Sequence, residues 1–174
     1  MKYTLSVLVE NQPGILSKVA GLFSRRGFNI DSLAVGVTDD ASVSRITIVV
    51  NGDEHMVEQV EKQLNKLIQV IKVKVLEPDA FISRELSLIK VNCRTQERGD
   101  VMKIAELMQA RIVDVTTVSL TLEFCDTDER TQTLIDLLRP FGFKEIVRAG
   151  TIAIERGVRT TALSKRTKSK SAAD

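Results

Sequence analysis

The spacing of the apolar residues, which alternates in a fixed order between a period of two and a helical period, restricts the fold more than any other feature. Apolar residues occupy every second position over 5–9, which predicts a strand, and Asn11-Gln12-Pro13-Gly14 then breaks the pattern. Helical spacing follows and stops before Gly27, a residue type that commonly ends a helix. In order, the first half predicts a strand at 5–9, a helix at 15–23, strands at 29–37 and 46–50, a helix at 57–67 and a strand at 71–75.

The second half repeats this βαββαβ order more loosely. Asp126 with Glu129 resembles a capping box at the start of a helix, and Pro140 with Gly142 ends that helix. The predicted segments are a strand at 85–93, a helix at 101–108, strands at 112–115 and 118–124, a helix that includes 134–138, and strands near 144–148 and 151–155. Each half therefore predicts a ferredoxin-like sandwich, an antiparallel sheet with two helices on one face, and the fold class is α+β.

Changes in composition divide the chain into four parts. We expect a first domain at 1–76, a linker at 77–83, a second domain at 84–157 and a basic, disordered tail at 158–174. An alternative role for the tail is an electrostatic tether to an acidic partner. A domain of this size is marginally stable alone and leaves the second face of its sheet bare, so we expect pairing between the halves or between chains.

Composition excludes several classes of protein. One histidine, His55, and two distant cysteines, Cys93 and Cys125, cannot form a zinc site alone, and we expect reduced thiols in a cytosol-like compartment. None of the three has a neighbouring group that would activate a nucleophile, and no glycine-rich phosphate loop is present. No apolar run reaches the length of a membrane span, and the N-terminus has no signal-peptide pattern. We therefore expect no catalytic site, no metal site and no membrane segment.

The charge distribution argues against a nucleic-acid-binding fold. The net charge is +2, and the tail at 158–174 contributes +4, so the two domains together are slightly acidic. RNA-binding domains with the same element order carry aromatic residues on their third strand, whereas the stretch 45–50 has none.

The loop that joins the first strand to the first helix is the best candidate for a binding site. Pro13 is expected at the first helical position, where its missing N–H costs nothing, and Gly14 lets a ligand approach the backbone. A helix start presents unpaired N–H groups that favour an anion such as a carboxylate, and Asn11 offers both a donor and an acceptor. The alternative is an ordinary helix cap followed by proline.

The residues around this loop resemble the ACT domain of the regulatory small subunit of acetolactate synthase (acetohydroxyacid synthase). The likeness rests on 11–16, on the long run 21–33 and on 44–48. Weaker likeness continues through the second half, and the matching segments together span about 2–157. A free-standing ACT sensor of another amino acid, acting on another enzyme, is the alternative.

This resemblance implies a function without catalysis by the chain itself. Such a subunit binds a catalytic subunit that carries thiamine diphosphate, Mg and FAD, raises its activity and confers feedback inhibition by valine in branched-chain amino-acid biosynthesis. The chain itself is expected to hold no cofactor, to form a homodimer through its ACT domains, and to lie in the cytoplasm or a plastid stroma. By position, the effector would contact Asn11, Pro13, Gly14, Ile15 and Leu16 of one chain and Asn29 and Ile30 of its partner.

Overall fold

The computed structural model describes residues 1–162 and consists of two successive domains of the same architecture. The alternating stretches of the first domain become strands and its amphipathic stretches become helices, as the sequence predicts. The elements are β1 (Lys2–Glu10), α1 (Ile15–Arg25), β2 (Ile30–Val37), β3 (Val43–Asn51), α2 (Glu54–Leu64) and β4 (Val70–Leu76).

The first sheet has the strand order β2-β3-β1-β4, and all three pairings are antiparallel. Alternate residues of β1 and β3, including Val7 and Ile46, point towards the two helices and form one core with Val19, Phe23 and Val60. This order places β2 at one edge of the sheet, and among the described residues β3 is the one strand that pairs with it.

The second domain repeats the order of the first. Its elements are β5 (Phe81–Asn92), α3 (Arg98–Met108), β6 (Arg111–Val115), β7 (Ser119–Asp126), α4 (Asp128–Leu138), β8 (Phe143–Arg148) and β9 (Ile152–Glu155). The sheet order is β6-β7-β5-β8, the core lies around Ile89 and Leu122, and a short 3₁₀ turn at Arg139–Phe141 joins α4 to β8. The predicted α+β class, with two ferredoxin-like units, is confirmed.

The cap of α4 differs from the predicted capping box. Thr127 is the N-cap residue, and its side chain accepts a hydrogen bond from the backbone N–H of Arg130. Asp126 is instead the last residue of β7 and forms an ion pair with Arg130 at 2.6 Å. The prediction was one residue too early because either oxygen-bearing side chain can cap a helix.

Strand β5 begins at Phe81, inside the range predicted as a linker, and is longer than the predicted 85–93. Its first four residues pair with β9 instead of with the second sheet, and this ribbon is formed by 81–84 and 152–155. We call it the bridging ribbon, because it lies against the first domain: Arg45 of β3 donates a hydrogen bond to the carbonyl of Ala153 at 2.8 Å.

The bridging ribbon corrects the prediction that a monomer leaves the second face of each sheet bare. On the first sheet, Ser6 and Thr47 lie on the face away from the helices and are fully or almost fully buried. On the second sheet, Leu86 and Leu88 remain about two-fifths exposed. The same chain therefore covers one of the two open faces.

The start of the predicted tail is ordered. Thr161 is 1% exposed, and Arg159 pairs with Glu77 at 3.1 Å. Arg159 and Thr161 therefore contact the folded part of the chain, which the predicted disordered tail does not account for, and the predicted tail from 163 onwards lies outside the described residues. Over residues 1–162, no helix is both long enough and apolar enough to cross a bilayer.

Candidate functional site

The loop between β1 and α1 has an open backbone at the start of the helix. Helix α1 begins at Ile15, and Gly14 is the N-cap with a φ of 84°, a left-handed conformation that favours glycine. Pro13 therefore precedes the cap, and the prediction that it occupies the first helical position is wrong. A Cβ atom added at Gly14 would meet no atom of the described residues within 4 Å, so these residues leave the space beside the helix start open.

Among residues 1–162, the first-turn amides of α1 are only partly used for hydrogen bonds. The N–H of Ile15 donates to the carbonyl of Gln12 at 3.4 Å, and the N–H of Lys18 donates to the carbonyl of Gly14 at 3.1 Å. Between them lie the amides of Leu16 and Ser17, which have no helical residue one turn earlier to accept from them. These donors and the helix dipole together favour a negative group at this position.

Asn11 fastens the loop to the hairpin between β2 and β3. Its side-chain amide donates to the carbonyl of Ala41 at 2.9 Å, and its Oδ1 accepts from the hydroxyl of Ser44 at 3.1 Å. Its backbone N–H also donates to the carbonyl of Ser42 at 2.7 Å. The side chain keeps one N–H and further lone pairs for a ligand, but its first effect is to fix the loop.

The apolar residues of the loop divide into core and surface. Ile15 is 8% exposed and packs in the core of the first domain, so its side chain offers a ligand little surface. Leu16 is 40% exposed and Pro13 is also exposed. Leu16 and Pro13 are therefore the apolar side chains that can contact a bound molecule here.

Asn29 and Ile30 lie at the opposite end of β2 from the loop. Ile30 is opposite Val50 of β3, whereas the loop is tied to the other end of the hairpin, where Val37 is opposite Ser44. Seven residues of extended strand separate the two ends by about 23 Å. The structure therefore does not bring 11–16 and 29–30 of one chain together, and Asn29 donates to Asp31 at 3.1 Å.

The polar contacts between the two domains were not predicted from the sequence. Lys74 pairs with Glu155 at 2.6 Å, and this ammonium holds the pKa of the Glu155 carboxyl below its usual range. Lys2 pairs with Asp128 at 2.6 Å and lowers the pKa of that carboxyl by donating a hydrogen bond to it. Burial under the bridging ribbon lowers the pKa of the Arg45 guanidinium. All three cations are on strands of the first domain, so each contact joins one domain to the other.

The residues considered for catalysis or metal binding do not form a site among residues 1–162. His55 is exposed in the first turn of α2, Cys93 is fully buried and Cys125 is exposed. No group of three His, Cys, Asp or Glu side chains in that range has the spacing to hold a metal ion. The candidate site is therefore the loop at the start of α1 and the neighbouring edge strand β2.

Comparison with known proteins identifies the family. A model described as the AHAS small subunit-like ACT domain matches residues 5–72, and one described as the small subunit of acetolactate synthase matches residues 84–157. The chain belongs to the acetolactate synthase small subunit family. The resemblance stated from 11–16 and 21–33 is thereby confirmed, and the family models extend through the second domain.

Individual members of the acetolactate synthase small subunit family match over nearly the whole chain. The acetolactate synthase small subunit of Mycolicibacterium smegmatis is 48% identical over 163 residues, which cover 94% of this chain and 96% of the relative. The probable acetolactate synthase small subunit of Archaeoglobus fulgidus is 49% identical over 157 residues, which cover 90% of this chain and 98% of the relative.

A solved structure has the same arrangement of both domains. The crystal structure of the acetolactate synthase small subunit from Thermotoga maritima is 36% identical and superposes with a TM-score of 0.84. The match covers 90% of this chain and 98% of that chain. The position of the second domain against the first is therefore a property that this chain shares with a family member.

Proposed function

We propose that this chain is the non-catalytic regulatory subunit of an acetolactate synthase, that it raises the activity of a thiamine-diphosphate-dependent catalytic subunit, and that it confers feedback inhibition by valine. Family membership supports the partner, because the relatives are acetolactate synthase small subunits. The observation that carries the effector part is the open helix start at Gly14, which offers first-turn amides beside an edge strand.

The helix start suits the carboxylate of an amino acid. The amides of Leu16 and Ser17 would donate to the carboxylate, and Gly14 leaves room for it because no side chain covers the backbone. The side chains of Leu16 and Pro13 would contact the isopropyl group of valine, and burial of such a group contributes about 1.5–3 kcal/mol. Asn11 and the partner's Asn29 would supply the remaining polar contacts.

A complete effector site requires two chains. Antiparallel pairing of β2 with β2 of a second copy would bring the beginning of one strand beside the end of the other. Residues 29–30 of the partner would then lie next to the loop 11–16, whereas in a single chain the loop and residues 29–30 lie at opposite ends of β2. Val35 and Val37 on β2 are exposed in the single chain and would be covered by this pairing.

The cofactors of the reaction, thiamine diphosphate, Mg and FAD, belong in this proposal to the catalytic subunit. The compartment, the cytoplasm or a plastid stroma, stays a prediction.

The test combines a binding and an activity measurement on the full chain. Calorimetric titration with valine, leucine and isoleucine should show binding of valine. Mixing the chain with a purified acetolactate synthase catalytic subunit should raise acetolactate formation from pyruvate and make it sensitive to valine, whereas the chain alone should form none. Valine binding without any effect on that enzyme would indicate a free-standing sensor instead, and turnover by the chain alone would contradict the non-catalytic assignment.

A further inference from the structure

The second domain touches strand β2 at a position where only glycine fits. A Cβ atom added at Gly150 would lie 2.0 Å from the carbonyl oxygen of Leu33 and 2.9 Å from the backbone nitrogen of Ala34. Both atoms belong to the backbone of β2 and cannot move aside as a flexible side chain could. The φ of Gly150 is not positive, so the close approach, and not the backbone conformation, requires glycine here.

The neighbouring residue adds a directional contact at the same place. The backbone N–H of Thr151 donates to the hydroxyl of Ser32 at 2.7 Å, across the boundary between the domains. On the other side, the N–H of Ala149 donates to the carbonyl of Leu86 in β5 at 2.8 Å. The segment 149–151 is therefore bonded to the first domain through β2 and to the second sheet through β5.

This contact differs in stiffness from the ion pairs that also join the domains. Lys2 and Lys74 are long side chains that can follow a small shift of their partners. Gly150 lies backbone against backbone on Leu33, so a displacement of β2 there moves 149–151 directly. A cavity of about 890 Å³ lies next to this contact, between β2, β3 and the bridging ribbon, and Ala34 and Ile152 are among the residues that line it.

Strand β2 also carries the partner-side residues of the proposed effector site. Ile30 is its first residue and Asn29 precedes it, so Ser32 and Leu33 follow the effector contacts by two to four positions. We propose that β2 transmits the state of the effector site to the second domain through its contact with Gly150 and Thr151. This proposal rests on the proposed function, and it assigns the coupling to the contact between β2 and the segment 149–151.

The test uses two substitutions that act on the contact from opposite sides. Gly150→Ala introduces a methyl group that cannot fit against Leu33, and Ser32→Ala removes the acceptor of the Thr151 amide while leaving the strand intact. Gly99→Ala, where an added Cβ meets nothing within 4 Å, is the matched control in the same domain as Gly150. Each full-length variant is combined with the catalytic subunit and titrated with valine.

We expect both contact variants to bind valine by calorimetry and to activate the catalytic subunit. The valine concentration for half-inhibition should rise at least about fivefold, the lower end of typical allosteric couplings, while the control stays at the wild-type value. In the wild-type chain, hydrogen exchange of the Thr151 amide should change when valine is added.

Three results would overturn this proposal while leaving the proposed function in place. They are wild-type valine sensitivity in both contact variants, loss of valine binding itself in both, and Thr151 exchange that valine does not alter. If Gly150→Ala fails to fold, the Ser32→Ala variant and the exchange measurement still test whether this contact transmits the valine signal. A wild-type chain that neither binds valine nor confers inhibition would instead refute the proposed function.

Discussion

Gly14→Asp should abolish valine inhibition and leave activation of the catalytic subunit in place. The new carboxylate would occupy the space beside the first-turn amides of Leu16 and Ser17, where the carboxylate of valine is proposed to bind. Loss of a charge-assisted hydrogen bond costs about 1.5–3 kcal/mol, so valine affinity should fall by at least about tenfold. Inhibition curves of the reconstituted enzyme and calorimetry of the chain measure the two effects separately.

Gly14→Asn is the matched control for this substitution. Asn and Asp are close in size and both tolerate the left-handed conformation that Gly14 adopts, so both variants should fold. Only Asp adds a negative charge, so the Gly14→Asp chain should bind valine clearly more weakly than the Gly14→Asn chain. Equal valine sensitivity in the wild-type chain and the Asp variant would contradict the position of the carboxylate.

Val35→Lys should convert the proposed dimer into a monomer and remove valine binding with it. Val35 is 49% exposed at the edge strand β2, where the proposed pairing would cover it. A two-fold interface repeats every substitution, so two ammonium groups would be buried or brought close together in each dimer. Analytical ultracentrifugation with and without valine measures the association, and calorimetry measures the binding.

Val115→Lys provides the comparison for the dimer prediction. Val115 is 57% exposed on β6, which occupies in the second sheet the edge position that β2 has in the first. This variant should keep the wild-type association state and valine affinity. A Val35→Lys chain that remains dimeric and binds valine normally would show that the two chains do not pair through β2.

The alternating strands and amphipathic helices of this chain were predictable because their signals are local. Leu5 to Val9 alternate between the two faces of β1, and Val19, Leu22 and Phe23 share one face of α1, so neither assignment depends on a distant partner. The six elements predicted for the first half and the seven predicted for the second half are therefore found in the structure in the predicted order.

The bridging ribbon was not predictable from local signals. Phe81–Arg84 continue β5 beyond the second sheet because β9 offers a partner about 70 residues later, and this pairing is set by tertiary packing. The close approach of Gly150 to Leu33 depends in turn on where the ribbon places the segment before β9. A glycine between two strands can be required for many reasons that the sequence does not distinguish. The structure shows that Gly150 is required because the Leu33 backbone lies against it.

The geometry of the candidate loop was only partly predictable from the sequence, and its role as an effector site stays a prediction. Asn11 and Gly14 mark the loop because they break a strand before a helix, and Gly14 proves to be the cap. The side chain of Ile15 was assigned to the ligand although the helical spacing that includes Val19 already placed it on the buried face. The contacts of Asn11 with Ala41 and Ser44 come from residues about 30 positions away, which spacing within the loop cannot show.

Mixing two variants that each fail to bind valine tests most directly whether one effector site is built from two chains. A Gly14→Asp chain keeps Asn29 intact, and an Asn29→Asp chain keeps the loop intact, so a heterodimer of the two would contain one undamaged site. Equal mixing of freely exchanging two-fold dimers should restore valine binding to about one quarter of the sites, measured by calorimetry against each variant alone. No recovery of binding in a mixture that demonstrably contains heterodimers would contradict a site shared between two protomers.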